Sequence, residues 1–177
     1  MAPVSAEIRM QPATKLIRYE DLLPWRASLA LEKTPLVVTN GCFDLLHPGH
    51  LFLLQTARAL GNTLLVGVTG DAAVRTLKGS GRPAMPERDR LLILSAIEAV
   101  SYVCLFPDVD ATLFLEMVRP DIYVKGGDYS LETINQRERH LLERLGSRIE
   151  ILPRFEQQST TQVVRRILDG ANPAISA

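Results

Sequence analysis

Two histidines three residues apart, His47 and His50, close the run Gly41-Cys42-Phe43-Asp44-Leu45-Leu46-His47-Pro48-Gly49-His50. On a helix, residues at this spacing share a face, so both imidazoles would lie on one side of a first turn. Pro48 suits that turn, because its fixed φ fits a helix start and its missing N–H is not needed there. Gly49 lets backbone come close to a ligand. A helix N-terminus offers unpaired N–H groups and the positive end of its dipole. Two imidazoles converging there make a site for a phosphate chain. Zinc binding would need a third ligand, and the only other histidine is His140. A nucleophilic role for Cys42 has no activating neighbour in the sequence. A purely structural loop has little use for two histidines around a glycine.

The elements around this run predict how it is held. The β-branched stretch Leu36-Val37-Val38-Thr39 before it reads as a strand, and the amphipathic run Leu51 to Leu60 as a helix, closed by Gly61-Asn62 in the manner of a C-cap. Strand, loop, helix is how an α/β protein presents a ligand at a strand's carboxyl end. Further strands are expected at Leu64–Thr69, Tyr102–Leu105, Ile122–Val124 and Ile149–Leu152. Helices are expected at Tyr19–Glu32, Ala72–Leu77, Pro86–Val100, Ala111–Val118, Leu131–Leu145 and Gln162–Leu168. Five strands alternating with helices predict a single-domain, Rossmann-like, doubly wound parallel sheet. Residues 1–34 form a lead-in and a helix anchored by Trp25, residues 35–170 the main domain, and residues 171–177 a tail.

Three more polar segments fall where ligands could be met. Lys78-Gly79-Ser80-Gly81-Arg82-Pro83 reads either as a solvated loop or as a flap whose Lys78 and Arg82 close on phosphate oxygens. Lys125-Gly126-Gly127-Asp128-Tyr129 leaves a strand at the same sheet edge as the histidine loop. Ser159-Thr160-Thr161 precedes the last helix, where hydroxyls and free N–H groups serve as cap or as phosphate ligands.

Composition narrows the class. Twenty basic and twenty acidic side chains cancel over 177 residues, which gives no bulk electrostatic case for nucleic acid or membrane surfaces. Hydrophobic content of 46% and charged content of 23% are those of a soluble globular domain. Cys42 and Cys104 make no disulfide framework, as expected in the cytoplasm, and no run has the length of a membrane span or a signal-peptide core.

Gly41-x-Phe43-Asp44 followed by His47-Pro-Gly-His50 resembles the signature of the HxGH nucleotidyltransferases, the cytidylyltransferase-like enzymes. The likeness extends from about Pro35 to Leu168. Leu77-Lys78-Gly79 with Arg82-Pro83, together with Val124-Lys125-Gly126-Gly127-Asp128-Tyr129, most resembles the adenylyltransferases of ADP-heptose synthesis, here expected in their stand-alone form. Gln157 departs from the glycine usual in those enzymes. Arg154-x-Glu156-x-x-Ser159-Thr160-Thr161 is instead similar to glycerol-3-phosphate cytidylyltransferases.

The resemblance implies transfer of AMP from ATP to a sugar 1-phosphate, heptose 1-phosphate, with pyrophosphate released; the alternative is transfer of CMP from CTP, as in glycerol-3-phosphate cytidylyltransferases. It implies catalytic roles for His47, His50 and Lys78. Nucleotide and phosphate binding fall to Asn40, Gly41, Cys42, Phe43, Gly49, Lys125, Gly126, Asp128, Ser159, Thr160 and Thr161, and substrate binding to Asp44, Arg82 and Arg154. Mg²⁺ would be bridged by phosphates with no direct protein ligand, and the enzyme would be a homo-oligomer. A nucleotide-binding regulatory module without chemistry is the alternative of another class.

Overall fold

Strand β1 (Leu36–Gly41) stands at the centre of a five-stranded, all-parallel sheet of order β3-β2-β1-β4-β5, in the computed structural model of the chain. The described residues are 14–30, 34–127, 129–153, 155 and 163–164. From β1 the chain runs outward through β2 (Thr63–Thr69) to β3 (Tyr102–Phe106), then crosses back to place β4 (Ile122–Gly126) and β5 (Arg148–Leu152) on the other side. Val38 therefore pairs with Leu65 on one flank and with Tyr123 on the other. The direction of winding reverses between β1 and β4, and a crevice opens there at the strands' carboxyl ends. The doubly wound parallel sheet predicted from the sequence is what forms.

The alternation of β1 divides the core. Leu36 and Val38 face a layer with Phe114, Leu115, Leu141 and Leu142, whereas Val37 faces Leu54, Ala57 and Leu94. The first layer is built by α1 (Leu22–Ala30), α5 (Thr112–Val118) and α6 (Gln136–Leu145), the second by α2 (Pro48–Ala59) and α4 (Glu87–Ala96). α3 (Asp71–Lys78) follows β2. All seven residues of β2 are buried, as expected of a strand covered on both faces.

Several boundaries differ from expectation. Gly61 is not a left-handed C-cap: the cap is Leu60, in the right-handed region. Gly61 is needed for space, since a Cβ there would lie 2.8 Å from Val37 Cγ2. α6 starts at Gln136 and not at Leu131, because Asn135 accepts from the Arg137 N–H and Thr133 Oγ1 accepts from the Ser130 N–H, holding 130–133 as a turn. Lys15 to Ile17, just before the first helix, cover the edge of β3: Val103 N–H donates to Lys15 O and Ile17 N–H to Val103 O, both at 2.9 Å. Trp25 packs edge-on against Tyr102 at 5.2 Å, the anchoring role expected of it. No described helix is long and apolar enough to cross a membrane. Residues 1–13, the helix expected over 162–168 beyond Val163 and Val164, and the tail lie outside the described residues.

Candidate active site

β1 delivers the chain to the crevice, and α2 begins with Pro48 in its first turn, with His47 as an extended N-cap. The His47 N–H points at His50 Nδ1, 3.4 Å away, which assigns the His50 proton to Nε2. The two rings lie against each other at a tilt, 3.9 Å between centroids and 34° between planes. His47 Nδ1 is buried with no hydrogen-bond partner among the described residues. Gly49 leaves room for the His47 ring, since a Cβ would stand only 3.0 Å from both Cε1 and Nδ1.

Burial lowers the pKa of both histidines. His50 falls to about 4, with His47 and Lys78 adding to the shift. Near neutral pH both imidazoles are therefore uncharged and act as hydrogen-bond donors, not as cations.

The loop between β1 and α2 is held from outside. Phe43 has a positive φ of 45°, a conformation costly for a residue with a Cβ. On one side of it, Arg90 donates to the Cys42 carbonyl, to Met85 O at 3.1 Å and to Asp71 Oδ1 at 2.7 Å. On the other, Asp44 is 2% exposed and its carboxylate accepts from Arg82 at 2.6 Å and from the N–H groups of Ala84 and Met85 at 2.8 and 3.1 Å. This clasp holds the loop that follows Lys78 against the histidine loop.

Lys78 is the last residue of α3, exposed, and followed by Gly79 at φ 94°. Lys125 closes the opposite arm. It continues β4, where a loop was expected, and its Nζ donates to Asn40 O at 3.0 Å and Asn40 Oδ1 at 2.9 Å. Tyr123 and Tyr129 present their rings 5.5 and 5.4 Å from this ammonium. Burial pulls the Lys125 pKa down, while Glu138 and Cys42 push it up.

A cavity of about 740 Å³ joins these groups. His47, His50, Lys78, Lys125, Asn40, Gly41, Cys42, Phe43, Asp44, Gly49 and Gly126 all line it. Arg82 is instead turned onto Asp44, behind the wall. Phe155 stacks on Phe52 of α2 at 5.1 Å and brings the chain after β5 to the same cavity. Asp128, Arg154, Ser159, Thr160 and Thr161 lie outside the described residues.

Three residues with structural work at the site were not assigned from sequence. Arg90 is 1% exposed, and its spacing of four from the buried Leu94 was the available signal, since it puts both on one helix face. Tyr123 is buried and Glu138, also buried, lines the cavity beside Lys125, and nothing local in the sequence marks their meeting.

A parallel sheet with two neutral histidines at a helix N-terminus, beside two lysines at the switch point, defines a phosphate-handling α/β protein. Residues 38–166 match the cytidylyltransferase-like family, and the chain belongs to it. It is 45% identical over 133 residues to the bifunctional protein HldE of Syntrophotalea carbinolica, covering 75% of this chain and 27% of that protein. To HldE of Desulfatibacillum aliphaticivorans it is 37% identical over 172 residues, 96% of this chain and 35% of that one. The chain thus spans roughly a quarter to a third of the length of these relatives.

Among solved structures, a lipopolysaccharide core biosynthesis protein of Thermoplasma volcanium superposes with a TM-score of 0.56 at 28% identity, over 71% of this chain and 99% of that one. A pantoate-β-alanine ligase of Francisella tularensis shares the fold, at a TM-score of 0.57 and 12% identity, over 84% and 69% of the two chains.

Proposed function

We propose that the chain transfers AMP from ATP to D-glycero-β-D-manno-heptose 1-phosphate, forming ADP-heptose and pyrophosphate. The observation that carries this reading is the close His47–His50 pair at the start of α2, lining one cavity with Lys78 and Lys125. The likeness to HldE proteins and to a lipopolysaccharide core biosynthesis protein supports the pathway.

An oxygen of the acceptor phosphate attacks the α-phosphorus, and the bond from that phosphorus to the bridging oxygen of pyrophosphate breaks. The nucleophile is already an anion, so no general base or covalent enzyme intermediate is required. Catalysis is alignment and stabilisation of charge. His47 and His50 donate to the phosphate chain. Lys78 folds inward with its flap to meet charge growing at the α-phosphate. Asn40, Gly41, Cys42, Phe43, Gly49 and Gly126 are assigned to the nucleotide and its phosphates, with Asp128, Ser159, Thr160 and Thr161. Lys125 meets the nucleoside or the sugar. Asp44 and Arg82 serve the acceptor side by rooting the flap, with Arg154 as a further acceptor contact.

Mg²⁺ fits this site as a companion of the triphosphate and not as a resident ion. The Asp44 carboxylate, which lines the cavity beside the histidines, is already taken by Arg82 and two backbone N–H groups. Carried in with the triphosphate, the ion would supply charge neutralisation. We place the catalytic domain at residues 35–170 and the enzyme in the cytoplasm as a homo-oligomer, needing neither nucleic acid nor membrane.

Pyrophosphate release tests the reading, with ATP or CTP offered against heptose 1-phosphate or glycerol 3-phosphate. Turnover is expected with ATP and heptose 1-phosphate. Turnover with CTP and glycerol 3-phosphate alone would overturn the assigned substrates, and nucleotide binding without turnover in any pairing would favour a regulatory module.

A further inference from the structure

A lysine side chain is a point charge on a flexible four-carbon stem, so its direction in a cavity has to be imposed. For Lys125 both described acceptors belong to Asn40, the backbone oxygen at 3.0 Å and Oδ1 at 2.9 Å. The backbone oxygen is fixed by β1. The carboxamide oxygen is fixed by Tyr123, whose hydroxyl lies 2.6 Å from it. That hydroxyl also lies 3.0 Å from Glu138 Oε2, so its single proton sits between two acceptors and both determine its direction. Glu138 in turn is tied down, because its Oε1 accepts from the Ala111 N–H at 2.9 Å, just before α5. Tyr123 is 0% and Glu138 5% exposed. The chain of contacts therefore runs by direct hydrogen bonds from the start of α5 and from α6 through β4 to the end of β1.

We propose that Tyr123 and Glu138 are positioning residues for Lys125, holding the Asn40 carboxamide so that the ammonium faces the cavity and meets anionic or hydroxyl oxygens of bound nucleotide or sugar phosphate. An ammonium has three protons and the described residues accept two of them, which leaves one for the ligand. The role of Lys125 toward substrate rests on the transfer reaction proposed above; the internal chain that aims it does not.

The chain has four lysines, so the carbon–proton correlations of their Cε positions are few, and Lys125→Met identifies the one concerned. Tyr123→Phe removes a single oxygen and keeps the ring's packing. It should shift the Lys125 resonance in the ligand-free protein and raise KM for one substrate about fivefold, the effect of one lost hydrogen bond. kcat should stay within about twofold, since the contact is made in the ground state as well. Glu138→Leu should behave likewise, while Glu138→Gln, which still accepts from Ala111 and pairs with the hydroxyl, should restore KM.

A rise in KM for the triphosphate would assign Lys125 to the nucleotide, and a rise for the acceptor would assign it to the sugar phosphate. An unmoved Lys125 resonance with unchanged KM in Tyr123→Phe would overturn the proposal, whether or not Glu138→Leu folds. So would a fall in kcat, at unchanged KM, shared by Glu138→Gln and Glu138→Leu. The resonance needs no turnover, so a wild-type protein that releases no pyrophosphate would defeat the transfer reading while the positioning role was still decided.

Discussion

Arg90 reaches from α4 to donate to the carbonyl of Cys42, the residue before the positive-φ Phe43. Its guanidinium also holds Asp71, whose own N–H donates to Glu87 at 2.8 Å. The histidine loop is thus fixed by a buried cation that touches none of the cavity's lining imidazoles. Replacing Arg90 by Met should leave the Asp71 carboxylate and the Cys42 carbonyl without their donor. A loss of about 3 kcal/mol in urea-measured stability is expected, as for other broken buried pairs. Stability within error of wild type would show that the loop holds itself.

Gly49→Ala separates stability from activity. Alanine is the better helix former, so the melting temperature should hold or rise slightly. The added Cβ, 3.0 Å from two atoms of the His47 ring, must push that ring aside. A misplacement of this kind should lower kcat by about tenfold to a hundredfold. Retained activity in a stable variant would mean that His47 need not sit where it does.

The two histidines and Lys78 are expected to act in the chemical step. His50→Ala should fold normally and lose about a hundredfold in kcat, the scale of one transition-state donor. Lys78→Ala, at an exposed position, should leave thermal stability unchanged and lower kcat to a similar extent. A change confined to KM in either variant would move that residue from chemistry to binding.

Acid should destabilise the protein through His50. Its folded pKa of about 4 lies below the ordinary value of 6.5, so between these pH values the unfolded chain binds the extra proton. Stability from this group is present above pH 6.5 and is lost as pH falls toward 4. His50→Asn should therefore show a smaller fall in melting temperature between pH 7 and pH 5 than wild type. Equal falls in the two proteins would show that His50 stays accessible to protons.

The first half of the site was legible because its signals are local. A β-branched run, a glycine and a proline punctuate β1, the loop and α2; the spacing rightly pairs His47 with His50, although His47 is the extended N-cap and not a residue of the helix face. The winding of the sheet followed from the alternation of elements. Lys125 was harder, since a cation after Ile122-Tyr123-Val124 reads as leaving the strand, yet Asn40 and the buried surroundings keep it inside β4. Arg90 carried a local sign of burial in its spacing from Leu94 but none of its partner Cys42, 48 residues away, while Tyr123 and Glu138 were legible only with Asn40 and Ala111, 83 and 27 residues away. Gly61 shows the same limit in reverse: a glycine after a helix suggests a cap, whereas here Val37 on another element excludes a side chain.

The most direct test of the transfer mechanism follows the α-phosphate of ATP labelled at that position, with Mg²⁺ and heptose 1-phosphate. The label should appear in ADP-heptose, in equal amount to unlabelled pyrophosphate released. Label remaining in ADP, with the terminal phosphate passed to the sugar, would contradict attack at the α-phosphorus and with it the roles given to His47, His50 and Lys78.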